Sequence, residues 1–116
     1  MLAYLTDHEP SLGADIETMP AEWISGAGLA FGADLLIHDC QYTEDEYPSR
    51  VGWGHPSVGH VATFARKTKV ARLLLFHHDP AHDDADVDAM VARARSLLGV
   101  DGDRCDAARE GLELPV

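Results

Sequence analysis

The fold is decided by residues 70–99, which read VARLLLFHHDPAHDDADVDAMVARARSLLG. The apolar run from Val70 to Phe76 has the length and composition of a buried strand, and a polar loop follows it. Asp83 and Asp84 then begin a helix that ends at Gly99. The apolar stripe of this helix is formed by Val87, Met90, Val91, Ala94, Leu97 and Leu98. A buried strand followed by an amphipathic helix is the repeating unit of a layered α/β fold.

The same strand-and-helix pattern occurs in the preceding part of the chain. Ser57 is a good N-cap for a helix that places Val58, Val61, Ala62 and Ala65 on one face. The other predicted elements are strands over residues 2–6, 35–37 and 105–114, and a short helix over residues 23–31 that stops at Gly32. Strands that alternate with helices predict a sheet covered by helices rather than a bundle or a β-sandwich.

Length and charge restrict the class of protein. The chain has 116 residues, with 20 acidic against 9 basic, so its net charge is −11. This length corresponds to one domain or a piece of one, and the charge makes a long nucleic acid an unexpected partner. No apolar run is long enough to cross a membrane, and residues 1–7 contain no basic leader. Because two cysteines, Cys40 and Cys105, cannot build a disulfide framework, we expect reduced thiols and a cytoplasmic protein.

Polar side chains with metal-binding potential follow three of the predicted strands. Asp7, Asp39 and His77 stand at or directly after strand ends, and in layered α/β folds the chemistry collects at the carboxyl ends of strands. Imidazole and carboxylate groups are common ligands of zinc, manganese and iron. The sequence contains no local metal motif, however, so a site requires residues from distant segments. An acidic residue after a strand is also a common turn former.

Four short motifs resemble the metallo-β-lactamase superfamily, and within it the ribonuclease-Z-like hydrolases. They are Leu5-Thr6-Asp7, then Ala33-Asp34-Leu35-Leu36-Ile37-His38-Asp39, then Gly54-His55-Pro56-Ser57, and then Leu74-Leu75-Phe76-His77. The resemblance implies that residues 1–116 are the C-terminal half of such a hydrolase domain. The fold it implies is α/β, the second half of an αββα sandwich, with a mixed sheet and helices on one face. The family's His-x-His-x-Asp-His loop, which lies in its first half, does not occur here.

The resemblance also implies a set of site residues. Asp7 matches the carboxylate that bridges two metals, and His77 matches the last metal-binding histidine. Asp39 stands where the family usually has Glu, paired in a proton relay with the histidine that His55 matches. The implied reaction is hydrolysis by a water activated at a dinuclear centre, with two Zn as the expected cofactor and Mn or Fe as alternatives. A phosphodiester in a small-molecule substrate is the expected target.

Several alternatives remain open at this stage. The superfamily also cleaves esters, lactones and thioesters, and a chain without the first-half ligands could instead be a non-catalytic binding module. A homodimer is one alternative for the oligomeric state. Among the other aromatic and histidine residues, Trp23 and Trp53 are expected in packing roles, His60 on a helix surface, and His78 in a supporting role beside His77.

Overall fold

The computed structural model describes residues 1–10 and 12–108 of the chain. Within them, the strands are β1 (Leu2–Leu5), β2 (Leu35–Asp39), β3 (Leu73–Phe76) and β4 (Cys105–Ala107). The α-helices are α1 (Ala27–Ala30), α2 (Val58–Lys67) and α3 (Asp84–Leu98). Short 3₁₀ turns occur at Ala21–Trp23, Tyr47–Ser49 and Gly99–Arg104. The α/β class predicted from the sequence is confirmed.

The four strands lie side by side in chain order, β1-β2-β3-β4, and all three neighbouring pairs are parallel. Parallel neighbours require crossover connections, and such crossovers are almost always right-handed. Strands added successively in one direction therefore send every crossover over the same face of the sheet. This explains why the helices lie on one face, as predicted. The prediction of a mixed sheet is wrong for the described strands, because all of them are parallel.

The core lies between this helix-bearing face and the helices. Side chains alternate between the two faces of a strand, and the inward set packs with buried residues of α2 and α3. The core includes Ala3, Leu36, Leu73, Leu75 and Cys105 from the sheet and Val61, Phe64, Met90 and Ala94 from the helices. On the opposite face, Leu2 and Tyr4 are 50% and 55% exposed, and Tyr4 packs against Phe76 with ring centroids 5.1 Å apart. One layer of helices on one sheet is half of an αββα arrangement.

The predicted ends of the two long helices are confirmed. The Ser57 hydroxyl accepts a hydrogen bond from the backbone of His60 and caps α2. Asp83 caps α3 in a reciprocal capping box, in which its carboxylate accepts from the Asp86 amide at 2.8 Å and the Asp86 carboxylate accepts from the Asp83 amide at 3.0 Å. Gly99 ends α3 with a positive φ of 66°. Each cap satisfies backbone groups that a helix end leaves without a partner.

Two predicted elements are shorter than expected, and the predicted range of a third continues past the described residues. The predicted helix over residues 23–31 divides into a 3₁₀ turn and α1, because Gly26 between them has a φ of 82°. The strand predicted from Val70 begins at Leu73, since the Val70 amide donates to the Ala65 carbonyl and so still belongs to the end of α2. The predicted final strand is present as β4, and its expected continuation beyond residue 108 lies outside the described residues.

None of the described helices has both the length and the apolar character needed to cross a membrane.

Candidate metal centre

The candidate centre forms at the edge of the sheet where β1, β2 and β3 end. Asp39 is the last residue of β2, His77 follows β3 directly, and Asp7 follows β1 after one intervening residue. Because the three strands are parallel and adjacent, their carboxyl ends lie at one edge, as the position of chemistry in such sheets requires.

Asp7 and His77 both have a left-handed backbone, with φ values of 49° and 58°. This conformation turns the chain sharply at the end of a strand, but it is strained for any residue other than glycine. Asp and His tolerate it better than most residues do. Strained backbone of this kind persists where the surrounding structure enforces it, and it clusters at functional sites.

His55 reaches the same edge from the loop before α2. Residues on both sides of it are fixed, because the Tyr42 amide donates to the Pro56 carbonyl at 3.2 Å and the Val58 amide donates to the Tyr42 carbonyl at 3.0 Å. The Tyr42 ring also lies edge-on to the His55 ring, with centroids 6.0 Å apart. Tyr42, in the loop after β2, therefore positions His55.

A buried carboxylate anchors the turn that precedes His55. Glu9 is 6% exposed, and it accepts hydrogen bonds from the amides of Gly52 and Gly54 and from the Tyr47 hydroxyl, the last at 2.6 Å. Burial works to raise the pKa of Glu9, but these donors outweigh it and hold that pKa below its ordinary value. Glu9 thus connects the segment that carries Asp7 to the segment that carries His55.

The four side chains converge around Asp39. His55 Nδ1 lies 2.5 Å from Asp39 Oδ2, and His77 Nδ1 lies 3.5 Å from Asp39 Oδ1. Asp7 Oδ1 is 3.7 Å from His55 Nδ1 and 4.0 Å from His77 Nδ1. One ligand atom from each of the four residues lies within 4.8 Å of the others. Two imidazoles and two carboxylates are therefore close enough together to hold a metal ion.

The state of Asp39 fits a bound cation. Its side chain is fully buried, and its Oδ1 atom has no hydrogen-bond partner among the described residues. Burial raises the pKa of Asp39, which the hydrogen bond from His55 and the proximity of His77 only partly offset. A buried carboxylate oxygen that accepts no hydrogen bond and has, in this part of the chain, only the 3.5 Å contact with His77 is costly, and a divalent cation would compensate for it. The nitrogen and oxygen donors suit zinc, manganese or iron.

Two other histidines, His8 and His38, hold the loops together behind the cluster. His38 is buried, and its ring bridges the Asp39 carbonyl at 2.7 Å and His8 Nδ1 at 2.9 Å. His8 continues this chain of contacts to the Ser25 carbonyl at 2.8 Å. Burial lowers the pKa of His38 to about 3. These contacts join the loop after β1 to the end of β2.

A second pair of histidines flanks the cluster on the β3 side. His82 binds the Glu46 carboxylate at 2.9 Å, which joins the loop after β3 to the loop after β2. His78 is half-buried, and neither of its ring nitrogens has a hydrogen-bond partner among the described residues. His77, rather than its neighbour, contributes to the cluster.

The structure places all four sequence-predicted site residues together: Asp7, Asp39, His55 and His77. Their individual roles remain predictions. Core or loop packing is the expectation for Trp23 and Trp53; the core part is wrong, because the two side chains are 75% and 62% exposed. His60 is half-buried, and its ring packs edge-on against Tyr47 at 4.5 Å.

Sequence reasoning missed Glu9 as a positioning residue. Its only signal was a position two residues after Asp7, and acidic residues are too common in this chain for that position to stand out. The role of Glu9 becomes visible only when residues 52–54 fold over it.

Sequence comparison finds similarity to curated proteins with one shared name. No family model matches the chain. Curated relatives named ribonuclease BN, from Salmonella typhi, Salmonella dublin and Salmonella agona, are 28% identical to it over 82 residues. The matched segment covers 71% of this chain and 26% of each relative, so the chain spans about a quarter of the length of the curated relatives it matches. Over most of its length, the chain is similar in sequence to ribonuclease BN.

Proposed function

We propose that the protein is a metal-dependent hydrolase of the metallo-β-lactamase type, and that it cleaves a phosphodiester bond in a small substrate. The observation that carries this proposal is the hydrogen bond between Asp39 and His55 beside the metal-binding candidates Asp7 and His77. The similarity to enzymes named ribonuclease BN supports the phosphodiester, since a ribonuclease cleaves that bond.

Asp7 and His77 are the residues that would hold the metal, with Oδ1 of Asp39, which accepts no hydrogen bond within the described part of the chain, as a further donor. We expect two Zn, with Mn or Fe as alternatives. When bound, such cations supply Lewis-acid activation of water and of the scissile phosphate. Asp7 and His77 have side chains 68% and 44% exposed, so this part of the cluster is open to a substrate.

The chain's own acid–base chemistry centres on His55. An ionised Asp39 can only accept a hydrogen bond, so it holds the proton of His55 on Nδ1 and fixes the ring's orientation. The Nε2 atom is then free to exchange a proton with a leaving oxygen. Positioned general acid–base groups contribute about 10²–10⁴-fold to rate. Asp39 has a shorter side chain than Glu. Its carboxylate nevertheless lies within hydrogen-bond distance of the His55 ring, at 2.5 Å.

Charge supports a small substrate. A net charge of −11 over 116 residues disfavours a long polyanion. The thiols of Cys40 and Cys105 are free and buried, which agrees with our proposal of a cytoplasmic protein.

We also propose that residues 1–116 form the C-terminal half of the hydrolase domain. The exposed side chains of Leu2 and Tyr4 on the sheet face without helices support this assignment, since a preceding half would cover them.

The test is an activity assay on the protein produced with the whole coding sequence of its gene and loaded with Zn²⁺ or Mn²⁺. We expect hydrolysis of bis(p-nitrophenyl) phosphate, a loss of about 10²-fold or more in His55→Ala, and a comparable loss in Asp39→Asn. Asp103→Asn, an exposed residue before β4, is the matched control and should keep full activity. Hydrolysis of an ester, lactone or thioester with no phosphodiesterase activity would contradict the assigned bond. The absence of all metal-dependent hydrolysis would favour the binding-module alternative.

A further inference from the structure

Beside the candidate metal centre, Arg50 lies between two aromatic rings. Its guanidinium carbon is 5.4 Å from the centroid of Tyr42 and 4.9 Å from that of Trp53. The Trp53 amide donates to the Arg50 carbonyl at 3.1 Å, so a tight turn keeps the two side chains adjacent. Tyr42 is 1% exposed whereas Trp53 is 62% exposed. The guanidinium therefore has a rigid ring on its inner side and an accessible indole on its outer side.

The charge of Arg50 has no carboxylate partner among the described residues. Arg66 and Arg93 do have one, because they pair with Glu17 and Glu44 respectively. Stacking on aromatic rings holds a guanidinium through its faces and leaves its N–H donors available at the edge. In a chain of net charge −11, a positioned guanidinium without an acidic partner is suited to bind an anion that is not part of the protein.

The position of this pair relates it to His55. Trp53 precedes His55 by two residues, and Tyr42 lies between Arg50 and His55, edge-on to the imidazole at 6.0 Å. Gly52 and Gly54 on either side of Trp53 have φ values of 87° and 90°. A Cβ atom built at either glycine would meet nothing within 4 Å. Glu9 anchors the backbone of this turn through the Gly52 and Gly54 amides, and the turn leaves the indole of Trp53 exposed two residues before His55.

We propose that Arg50 and Trp53 form a substrate-recognition site for a flat aromatic group that carries a phosphate. The aromatic group stacks on Trp53, and the phosphate binds the N–H donors of Arg50. This inference rests on the proposed function and deepens it, since it identifies the substrate as an aromatic phosphodiester, such as one built on a nucleotide. Stacking and charge each supply part of the affinity, because an indole attracts any flat ring and a guanidinium binds phosphate with paired hydrogen bonds.

The experiment uses Trp23→Phe, so that Trp53 is the chain's remaining indole, and it is done with a chelator present to exclude binding through metal. Adenosine 5′-monophosphate, ribose 5-phosphate and adenosine are titrated while Trp53 fluorescence and binding heat are measured. We expect adenosine 5′-monophosphate to quench Trp53 and to bind roughly 10-fold or more tightly than either part alone. Binding of ribose 5-phosphate as tight as that of the nucleotide, or binding without any change in Trp53 emission, would overturn the proposal.

Substitutions separate the two contributions. Arg50→Gln should weaken the nucleotide about 10-fold without affecting adenosine, and Arg50→Lys should restore part of the loss. Followed by binding heat, Trp53→Phe should retain more affinity than Trp53→Leu does. Equal affinities in all four variants would contradict the assignment of these residues.

Failure of the recognition site and failure of the proposed function give different results. Nucleotide binding at Trp53 in a protein that hydrolyses no phosphodiester would refute the proposed function. Phosphodiester hydrolysis with the same KM in Trp53→Leu and the parent protein would refute only the recognition site.

Discussion

Asp7 and His77 keep a left-handed backbone although glycine would adopt it with less strain. Each places a candidate ligand at the point where a strand ends, and each ligand atom reaches the cluster from that turn. A residue that favours function over local stability is typical of active sites.

The first prediction concerns this strain. In the metal-free chain, His77→Gly should have a free energy of unfolding about 1 kcal/mol higher than His77→Ala, because both lose the imidazole contacts and only glycine relieves the positive φ. The same variant should bind Zn²⁺ more weakly, because one imidazole ligand is lost. Lys69→Gly is the matched control: Lys69 has a φ of 57° at the end of α2, so it should gain similar stability with no change in zinc affinity. Urea denaturation in chelator and zinc competition measure the two effects, and a His77→Gly variant less stable than His77→Ala would contradict backbone strain at this position.

The second prediction concerns Glu9. Glu9→Gln replaces a carboxylate that three donors contact, and the amide can satisfy fewer of them. We expect the free energy of unfolding to fall by about 1–3 kcal/mol. Glu44→Gln, which removes an exposed pairing with Arg93, should change it by less than about 1 kcal/mol. Equal effects of the two substitutions in chemical denaturation would show that Glu9 does not anchor the turn before His55.

Among the helices and strands, the features that the sequence predicted correctly are those that depend on neighbouring residues in the chain. The caps of α2 and α3 were predictable because Ser57, Asp83 and Gly99 act on their own helix ends. The prediction of one helix over residues 23–31 is wrong, because Gly26 has a left-handed backbone that interrupts it. Loop contacts such as that between Glu46 and His82 join residues 36 positions apart, and no local pattern encodes them.

The third prediction concerns the contact between the loops after β2 and β3. Burial works to raise the pKa of Glu46, but hydrogen bonds from the Thr43 amide and from His82 hold it below its ordinary value of 4.5. A lowered carboxylate pKa stabilises the fold fully above the unfolded-state pKa, and that contribution is lost as the pH falls through the folded-state pKa. Glu46→Gln should therefore be less stable than the parent at pH 7, with the difference shrinking below pH 4.5.

Denaturation midpoints between pH 7 and pH 3 measure this effect of Glu46. Glu22→Gln, at an exposed position, is the control and should follow the parent at every pH. A difference between Glu46→Gln and the parent that grows in acid would contradict the assignment.

For the whole molecule, the decisive property is that parallel strands in chain order end at one edge. This arrangement brings together residues 7, 39, 55 and 77, which are scattered along the chain. The identities of these four residues were predictable through the family resemblance, because their motifs are local. Their distances were not, since they depend on strand order and on the turn that Glu9 anchors. The exposure of Trp53 could not be predicted either, because the sequence does not distinguish a tryptophan in a core from one on a surface.

Imidazole NMR resonances test whether Asp7 and His77, with Asp39 as a further donor, bind a divalent metal beside the His55 imidazole. The chain contains seven histidines, so a Zn²⁺ titration of nitrogen-labelled protein reports on candidate ligands and bystanders in one experiment. We expect His77, as a ligand, and His55, as the hydrogen-bond partner of Asp39, to shift first and together. His60 and His82 should stay unchanged, and Asp39→Asn should weaken the response about 10-fold or more. Zinc that shifts His60 or His82 before His55 and His77, or that shifts none of the histidines, would contradict it.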